Sequence, residues 1–277
     1  MRRNLATVAG ALAEMARAGT RLITYPLGVP AEPLRLDPRD RSTPVVLVHG
    51  LTDNRSVFRA MQRRLRRNGF TSVCCWNYSP LLRDIPRGAA DLGRHLDRIR
   101  ARTGRGPVHV VGHSLGGLIA RYHAQCQGGD DAIETLVTLG TPHRGTLVAH
   151  LLPTPLGRQL RPGSSVVRRL AEPAPGCRTA VTAVYSDLDE LVLPTAAGRC
   201  DHPDLGASNV LVHAVGHACL PVHAAVARAV MDALRAGPSR ADGAGGGGAA
   251  PGAQPAGRER CRPGGVTTGG MSAALLA

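Results

Sequence analysis

Between residues 41 and 236 the apolar positions switch repeatedly from short unbroken runs to helical spacing and back. PVVLVHG (44–50) is a β-branched run that ends in a polar turn, the pattern of a strand buried on both faces. DNRSVFRAMQRRLRRNG (53–69) has helical spacing, a capping residue at Asp53 or Asn54 and a stop at Asn68-Gly69. FTSVCCWNY (70–78) reads as a strand, and 87–102 as a helix with Leu92, Leu96 and Ile99 on one face. PVHVVG (107–112) is a strand and 115–126 a helix; AIETLVTLG (132–140), RTAVTAVYS (178–186) and NVLVHAV (209–215) are strands. Residues 220–235 close the pattern as a helix presenting Val222, Val226, Val230 and Leu234. Strands alternating with helices predict an α/β fold, with a mostly parallel sheet and helices on both faces. Such sheets bind ligands beyond the carboxyl ends of their strands.

Three stretches depart from this alternation. Residues 1–40 are expected to form an N-terminal helix and a connector holding Pro26, Pro30, Pro33 and Pro38. The opening MRRNLATVAGALAEMARAG imitates a secretory signal, with Arg2 and Arg3 before the apolar stretch Leu5–Ala13. Glu14 and Arg17 interrupt it early, so an amphipathic surface helix is expected, which favours an intracellular or membrane-peripheral chain over an exported one. Residues 237–277, with GGGG at 245–248, hold too little apolar surface to offset the entropy of ordering and are expected to be a disordered tail. Residues 146–176 carry Leu147, Val148, Leu151 and Leu152, then Pro153 and Pro155, then Val166, Val167 and Leu170. They predict two short apolar helices on a Pro-hinged connection, either a small cap over a site or a plain surface excursion.

Composition changes this picture little. Apolar residues make up 43% of the 277 and aromatics 3%, so aliphatic side chains must build the core. The formal charge of +14 comes from 34 basic residues, every one of them Arg. No nucleic-acid-binding motif or stacking platform accompanies the charge, which reads as a solvated surface, and no nucleic-acid partner is expected. The seven cysteines form no CxxC pair, which argues against zinc ribbons and thioredoxin-like chemistry; Cys177 with Cys200 is one disulfide that the spacing would allow.

The chemistry concentrates in HVVGHSLGGLIARY (109–122), where Gly112-His113-Ser114-Leu115-Gly116 matches G-x-S-x-G directly between a strand and a helix. A chain turning that sharply brings strand and helix close together, and glycine removes the Cβ atoms that would clash. It also leaves a serine hydroxyl standing out beside the free N–H groups of a helix start. A serine hydroxyl is a weak nucleophile, so it needs a base, and the base needs a carboxylate to orient it. SDLDELVLP (186–194) offers Asp187 and Asp189, and AVGHACLP (214–221) offers His217, each on a loop past the carboxyl end of a strand. His213 and His217 are four residues apart, but with 213 inside a strand and 217 beyond it they do not make a metal pair.

Taken in order, VVLVHG, GHSLGG, TLGTPHRG, the D-E-L-V-L-P loop and the final GH resemble the α/β-hydrolase lipases and esterases of bacterial type, particularly the triacylglycerol lipase-like group, over about residues 40–236. That resemblance implies the α/β-hydrolase fold and hydrolysis of carboxylic esters or lipids, with no cofactor and no metal. It maps the nucleophile to Ser114, the base to His217 and the acid to Asp189, with Asp187 the competing carboxylate. It maps the oxyanion amides to Leu51 and Leu115, the loop that brings in the first of them to His49 and Gly50, and a wall of the pocket to TLGTPHRG (138–145), where His143 is expected to pack or to hydrogen-bond within the loop rather than act as a second base. The His-Gly-x form at 49–51 is similar to that of lipases accepting medium and long acyl chains, and a cap of this kind can rest on a lipid surface. Acyl transfer to an alcohol other than water, and a non-catalytic binding module on the same scaffold, are the alternative expectations.

Overall fold

A computed structural model describes residues 42–79 and 82–237; the helix and connector expected over 1–40, and the tail beyond Gly237, lie outside them. Among the described residues six strands form one sheet: β1 (Val45–Val48), β2 (Val73–Trp76), β3 (Val108–His113), β4 (Ile133–Leu139), β5 (Ala180–Ser186) and β6 (Ser208–Val212). Their spatial order is β2-β1-β3-β4-β5-β6 and every neighbouring pair is parallel. The chain leaves β1 for one edge and then crosses back to β3, so β1 and β3 pair with Val48 opposite Gly112. This reversal is where parallel α/β sheets open a crevice at their carboxyl ends.

The helices are α1 (Arg59–Arg67), α2 (Ile85–Thr103), α3 (Leu115–Cys126), α4 (Pro155–Gln159), α5 (Ser165–Arg169) and α6 (Ala224–Ala236). Alternation along the strands sorts them into two layers. Val46 and Val48 face Leu92, Leu96 and Ile99 of α2 and Leu118 and Ile119 of α3. Val45 and Leu47 face Met61 and Leu65 of α1 and Val226, Val230 and Leu234 of α6. Burying each such side chain is worth about 1.5–3 kcal/mol, so β1 is held from both sides.

Among the described residues the predicted elements are present, with differences that have local causes. Asn54, rather than Asp53, caps the helical segment after β1: its Oδ1 accepts from Ser56 N at 3.0 Å, and a 3-10 turn (Arg55–Phe58) precedes α1. The closing helix is shorter than expected, because Pro221 falls in a 3-10 turn (His217–Val222) and His223 caps α6. Val222 therefore lies outside the helical face. β6 ends at Val212, leaving His213 on the turn beyond it rather than inside the strand. Cys177 and Cys200 are free thiols, as are the other described cysteines. Among the described residues no helix is long and apolar enough to cross a membrane.

Residues 146–176 form a 3-10 turn (Leu147–Leu151) followed by α4 and α5. Leu156, Leu160, Val166 and Leu170 are buried against the α2–α3 layer, whereas Leu147, Leu151 and Leu152 face outward.

Candidate active site

The turn between β3 and α3 places one residue, Ser114, at φ 53° and ψ −120°, a conformation that non-glycine residues rarely adopt. Packing enforces it. A Cβ at Gly112 would stand 2.5 Å from Gly117 Cα, and one at Gly116 would stand 2.3 Å from the Val48 carbonyl oxygen, so only glycines allow strand, helix and β1 to meet here. Ser114 N donates to Leu139 O at 2.9 Å, and the Thr141 hydroxyl donates to Ser114 O at 3.0 Å. The strained residue is thus fastened to the end of β4 on both sides of its peptide. Such strain, held by over-determining contacts, is typical of functional positions.

Asp189 and His217 come together from the loops after β5 and β6. His217 Nδ1 lies 2.8 Å from Asp189 Oδ2 and 3.0 Å from Oδ1, and both side chains are almost wholly buried. The carboxylate only accepts, so Nδ1 carries the proton and Nε2 is left as the basic nitrogen. Asp189 is itself held, since Oδ1 accepts from Leu191 N and Val192 N at 3.0 and 2.9 Å. The Glu190 carboxylate accepts from His217 N at 3.1 Å. Gly140, the residue after β4, closes this corner: a Cβ there would lie 2.8 Å from Asp189 Oδ2 and 3.1 Å from His217 Nδ1. Asp187, the competing carboxylate, is engaged elsewhere: exposed His213 donates to it at 2.7 Å, and Ala214 N at 2.8 Å. Partial desolvation raises the Asp187 pKa, but those hydrogen bonds and the His213 charge outweigh it and hold the pKa below the usual carboxylate range.

On the other side of Ser114, the loop after β1 carries His49, Gly50 and half-buried Leu51. His49 Nδ1 donates to Gly50 O at 2.8 Å, and its ring stacks on Tyr78 with centroids 4.2 Å apart. The Tyr78 hydroxyl donates to Gly50 O at 2.7 Å and to His49 O at 3.2 Å. Burial, reinforced by the charge of Asp53, keeps that phenol protonated and able to donate. Burial also lowers the His49 pKa, against the raising effects of its bond to Gly50 and of Asp53, so His49 is a neutral loop support. Leu115 is the first residue of α3, and its N–H belongs to the turn of amides that a helix leaves without intrahelical partners.

His143 lies in a buried network behind the serine turn. Burial, and then the charge of Arg121, push its pKa well below the usual histidine range. Arg121 Nη1 donates to His143 Nδ1 at 3.3 Å, so Nε2 carries the ring proton, toward Thr138 Oγ1 at 2.9 Å. Arg121 Nη2 also donates to Leu170 O at 2.8 Å, fastening the end of α5 to α3. Both ring nitrogens of His143 are therefore engaged, by Arg121 and by Thr138. Tyr78, Glu190, Thr141 and Arg121 escaped the sequence analysis. Glu190 stands beside Asp189 in the quoted loop, but nothing in its type or spacing marks it as an acceptor for His217 N; the other three act through contacts that only the fold creates.

A strained serine at the end of the third strand of a parallel sheet, with an Asp–His pair on the loops after β5 and β6, defines an α/β-hydrolase-fold protein. A family model described as alpha/beta hydrolase fold matches residues 43–162. The chain is lipase-like in sequence: it is 34% identical over 150 residues to a triacylglycerol lipase of Burkholderia plantarii, and 35% identical over 111 residues to one of Pseudarthrobacter phenanthrenivorans. Those stretches cover 50% and 37% of this chain, and 40% and 34% of the two relatives, so the chain matches less than half the length of either. Among solved structures, Aspergillus fumigatus lipase B superposes with a TM-score of 0.64 at 20% identity, covering 76% of this chain and 57% of that one. The mature form of the Bacillus licheniformis lipase BlEst2 superposes with a TM-score of 0.60 at 19% identity, covering 75% and 96%. At those identities the likeness is one of fold.

Proposed function

We propose that the protein is a serine hydrolase of carboxylic esters. The Ser114 hydroxyl attacks the ester carbonyl carbon while His217 Nε2 takes its proton. Asp189 holds the imidazole in the required tautomer and stabilises the imidazolium that forms. The amides of Leu51 and Leu115 receive the charge on the carbonyl oxygen. As the tetrahedral intermediate collapses, the alcohol leaves with the proton from His217 and the acyl group stays on Ser114. Water, deprotonated by His217, then attacks the acyl carbon and frees the carboxylic acid and the serine hydroxyl.

The observation that carries this reading is the buried Asp189–His217 pair at 2.8 Å on the rim that also holds the strained Ser114. The names of the two curated relatives, both triacylglycerol lipases, support glycerol esters as the substrate class. The test is hydrolysis of p-nitrophenyl esters of increasing acyl length, together with labelling by a fluorophosphonate probe. Ser114→Ala is expected to lose both, with kcat falling at least ~10⁴-fold; full activity in that variant refutes the assignment.

One observation favours action at a lipid surface. Leu147, Leu151, Leu191 and Leu193 are 56%, 80%, 45% and 39% exposed, and Leu147 N donates to Leu193 O at 2.9 Å, so these leucines belong to adjoining segments. An outward apolar patch beside the Asp189 loop suits contact with aggregated ester. Replacing Leu147 and Leu151 by Ser should lower the rate on emulsified long-chain esters and leave soluble short-chain esters unaffected; equal effects on both overturn this reading.

A further inference from the structure

His113 precedes the nucleophile in the chain and is 1% exposed. Its Nε2 lies 3.2 Å from the main-chain carbonyl oxygen of His217, which can only accept, so Nε2 donates. Its ring lies against the His217 ring, centroids 4.8 Å apart and planes tilted by 41°. On its other edge Nδ1 faces Asp53 Oδ2 at 3.5 Å, the Asp53 side chain being 8% exposed. Gly50 completes the corner: a Cβ there would stand 3.1 Å from His113 Nδ1, 3.2 Å from Asp53 Oδ2 and 3.3 Å from Ser114 Cβ. One imidazole thus touches the oxyanion loop on one side and the main chain of the base on the other, while being covalently joined to the nucleophile.

His217 belongs to a loop 103 residues further along the chain than Ser114. Its imidazole is fixed at Nδ1 by Asp189, and its N–H by Glu190. Neither contact refers its position to Ser114, because both carboxylates ride on the loop after β5. The bond from His113 does so, since a displacement of the His217 main chain relative to the serine turn must stretch it. Proton transfer between hydroxyl and imidazole requires a heavy-atom separation of about 2.6–3.2 Å, so a shift of roughly 1 Å is enough to slow it.

Resting on the hydrolase reading above, we propose that His113 is a positioning residue: it braces the His217 main chain from the nucleophile's own neighbour and keys both to the Gly50–Asp53 loop. It touches no reacting atom and acts through His217 and that loop.

The experiment compares His113→Gln, His113→Phe and His113→Asn, with active sites counted by the burst of p-nitrophenol so that kcat is expressed per titrated Ser114. Gln places an amide donor where Nε2 stands and keeps the bond to His217 O. Phe keeps the ring volume and the tilted ring contact but cannot donate. Asn keeps a polar group on the Nδ1 side and falls short of His217 O. The expected result is a fall in per-site kcat of about 10- to 100-fold for Phe and Asn, with KM within about 2-fold, and recovery of at least about 5-fold in Gln. A merely structural role would lower the number of titrated sites and leave per-site kcat unchanged. Should Phe fail to fold, the Asn–Gln contrast decides. Wild-type per-site kcat in Asn and Phe, or a loss in Gln equal to theirs, overturns the inference. If the wild-type protein neither hydrolyses esters nor takes the fluorophosphonate label, the hydrolase reading itself fails, a different and recognisable outcome.

Discussion

Asp189 Oδ2 lies 2.8 Å from His217 Nδ1 in the protein interior, while Asp187, two residues earlier on the same loop, is joined at 2.7 Å to the exposed His213. The loop after β5 thus carries two Asp–His pairs, one buried beside the serine turn and one in solvent. Asp189→Asn should cut kcat on p-nitrophenyl butyrate by about 10⁴-fold, because an amide no longer enforces the tautomer with its proton on Nδ1. Asp187→Asn should stay within about 3-fold of wild type, since an exposed pair contributes roughly 1 kcal/mol or less. A large loss in Asp187→Asn with little in Asp189→Asn would reverse the assignment.

The serine turn should be intolerant of a single methyl group. At Gly112 the added Cβ would meet main-chain atoms of Gly116 and Gly117 at 2.5–2.8 Å, and neither strand nor helix can withdraw without disturbing both core layers. Gly112→Ala is expected to destabilise the fold by roughly 3 kcal/mol or more in urea unfolding. Gly106→Ala, where a Cβ would meet nothing within 4 Å, should change stability by no more than about 0.5 kcal/mol.

Stability should fall as the solution becomes acidic. Burial lowers the pKa values of His95 and His109 to about 4, with the charge of Arg98 adding to the effect at His95. Burial also lowers those of His49, His123 and His143. A histidine whose folded pKa is depressed is neutral in the folded state, whereas the unfolded chain takes up its proton near pH 6.5. The stability is therefore complete above about pH 6.5 and is lost as the pH falls from there toward about 4. The melting temperature should drop between about pH 7 and pH 5. His109→Leu, which removes one of these groups, should make that drop smaller, by at most about 1 kcal/mol per pH unit after solvent screening. A pH-independent melting temperature over this range would contradict the neutral buried histidines.

Much of this was legible in one dimension because the relevant physics is local. Short β-branched runs separated by helical spacing point to a parallel sheet covered on both faces, since the intervening helices are the crossovers that join parallel strands and bury them. The glycines around Ser114 announce a close approach of backbones, and the order of Ser114, the 187–189 loop and His217 matches that required by the elbow-bearing fold. Element ends were less legible: the 3-10 turn at Arg55–Phe58 and the break at Pro221 depend on how the flanking layers receive the chain.

By itself, then, the sequence determined which elements form, which faces of them are apolar and which loops carry Ser114, Asp189 and His217, because propensity, periodicity and turn chemistry act over a few residues. Only the tertiary structure decided that His217 takes Asp189 and His213 takes Asp187, that Tyr78 and Glu190 hold the main chain on either side of Ser114, and that His113 reaches His217 across more than a hundred residues. Those pairings depend on distances between loops that are remote in the chain, and such distances exist only once the two packed layers have fixed the strands side by side.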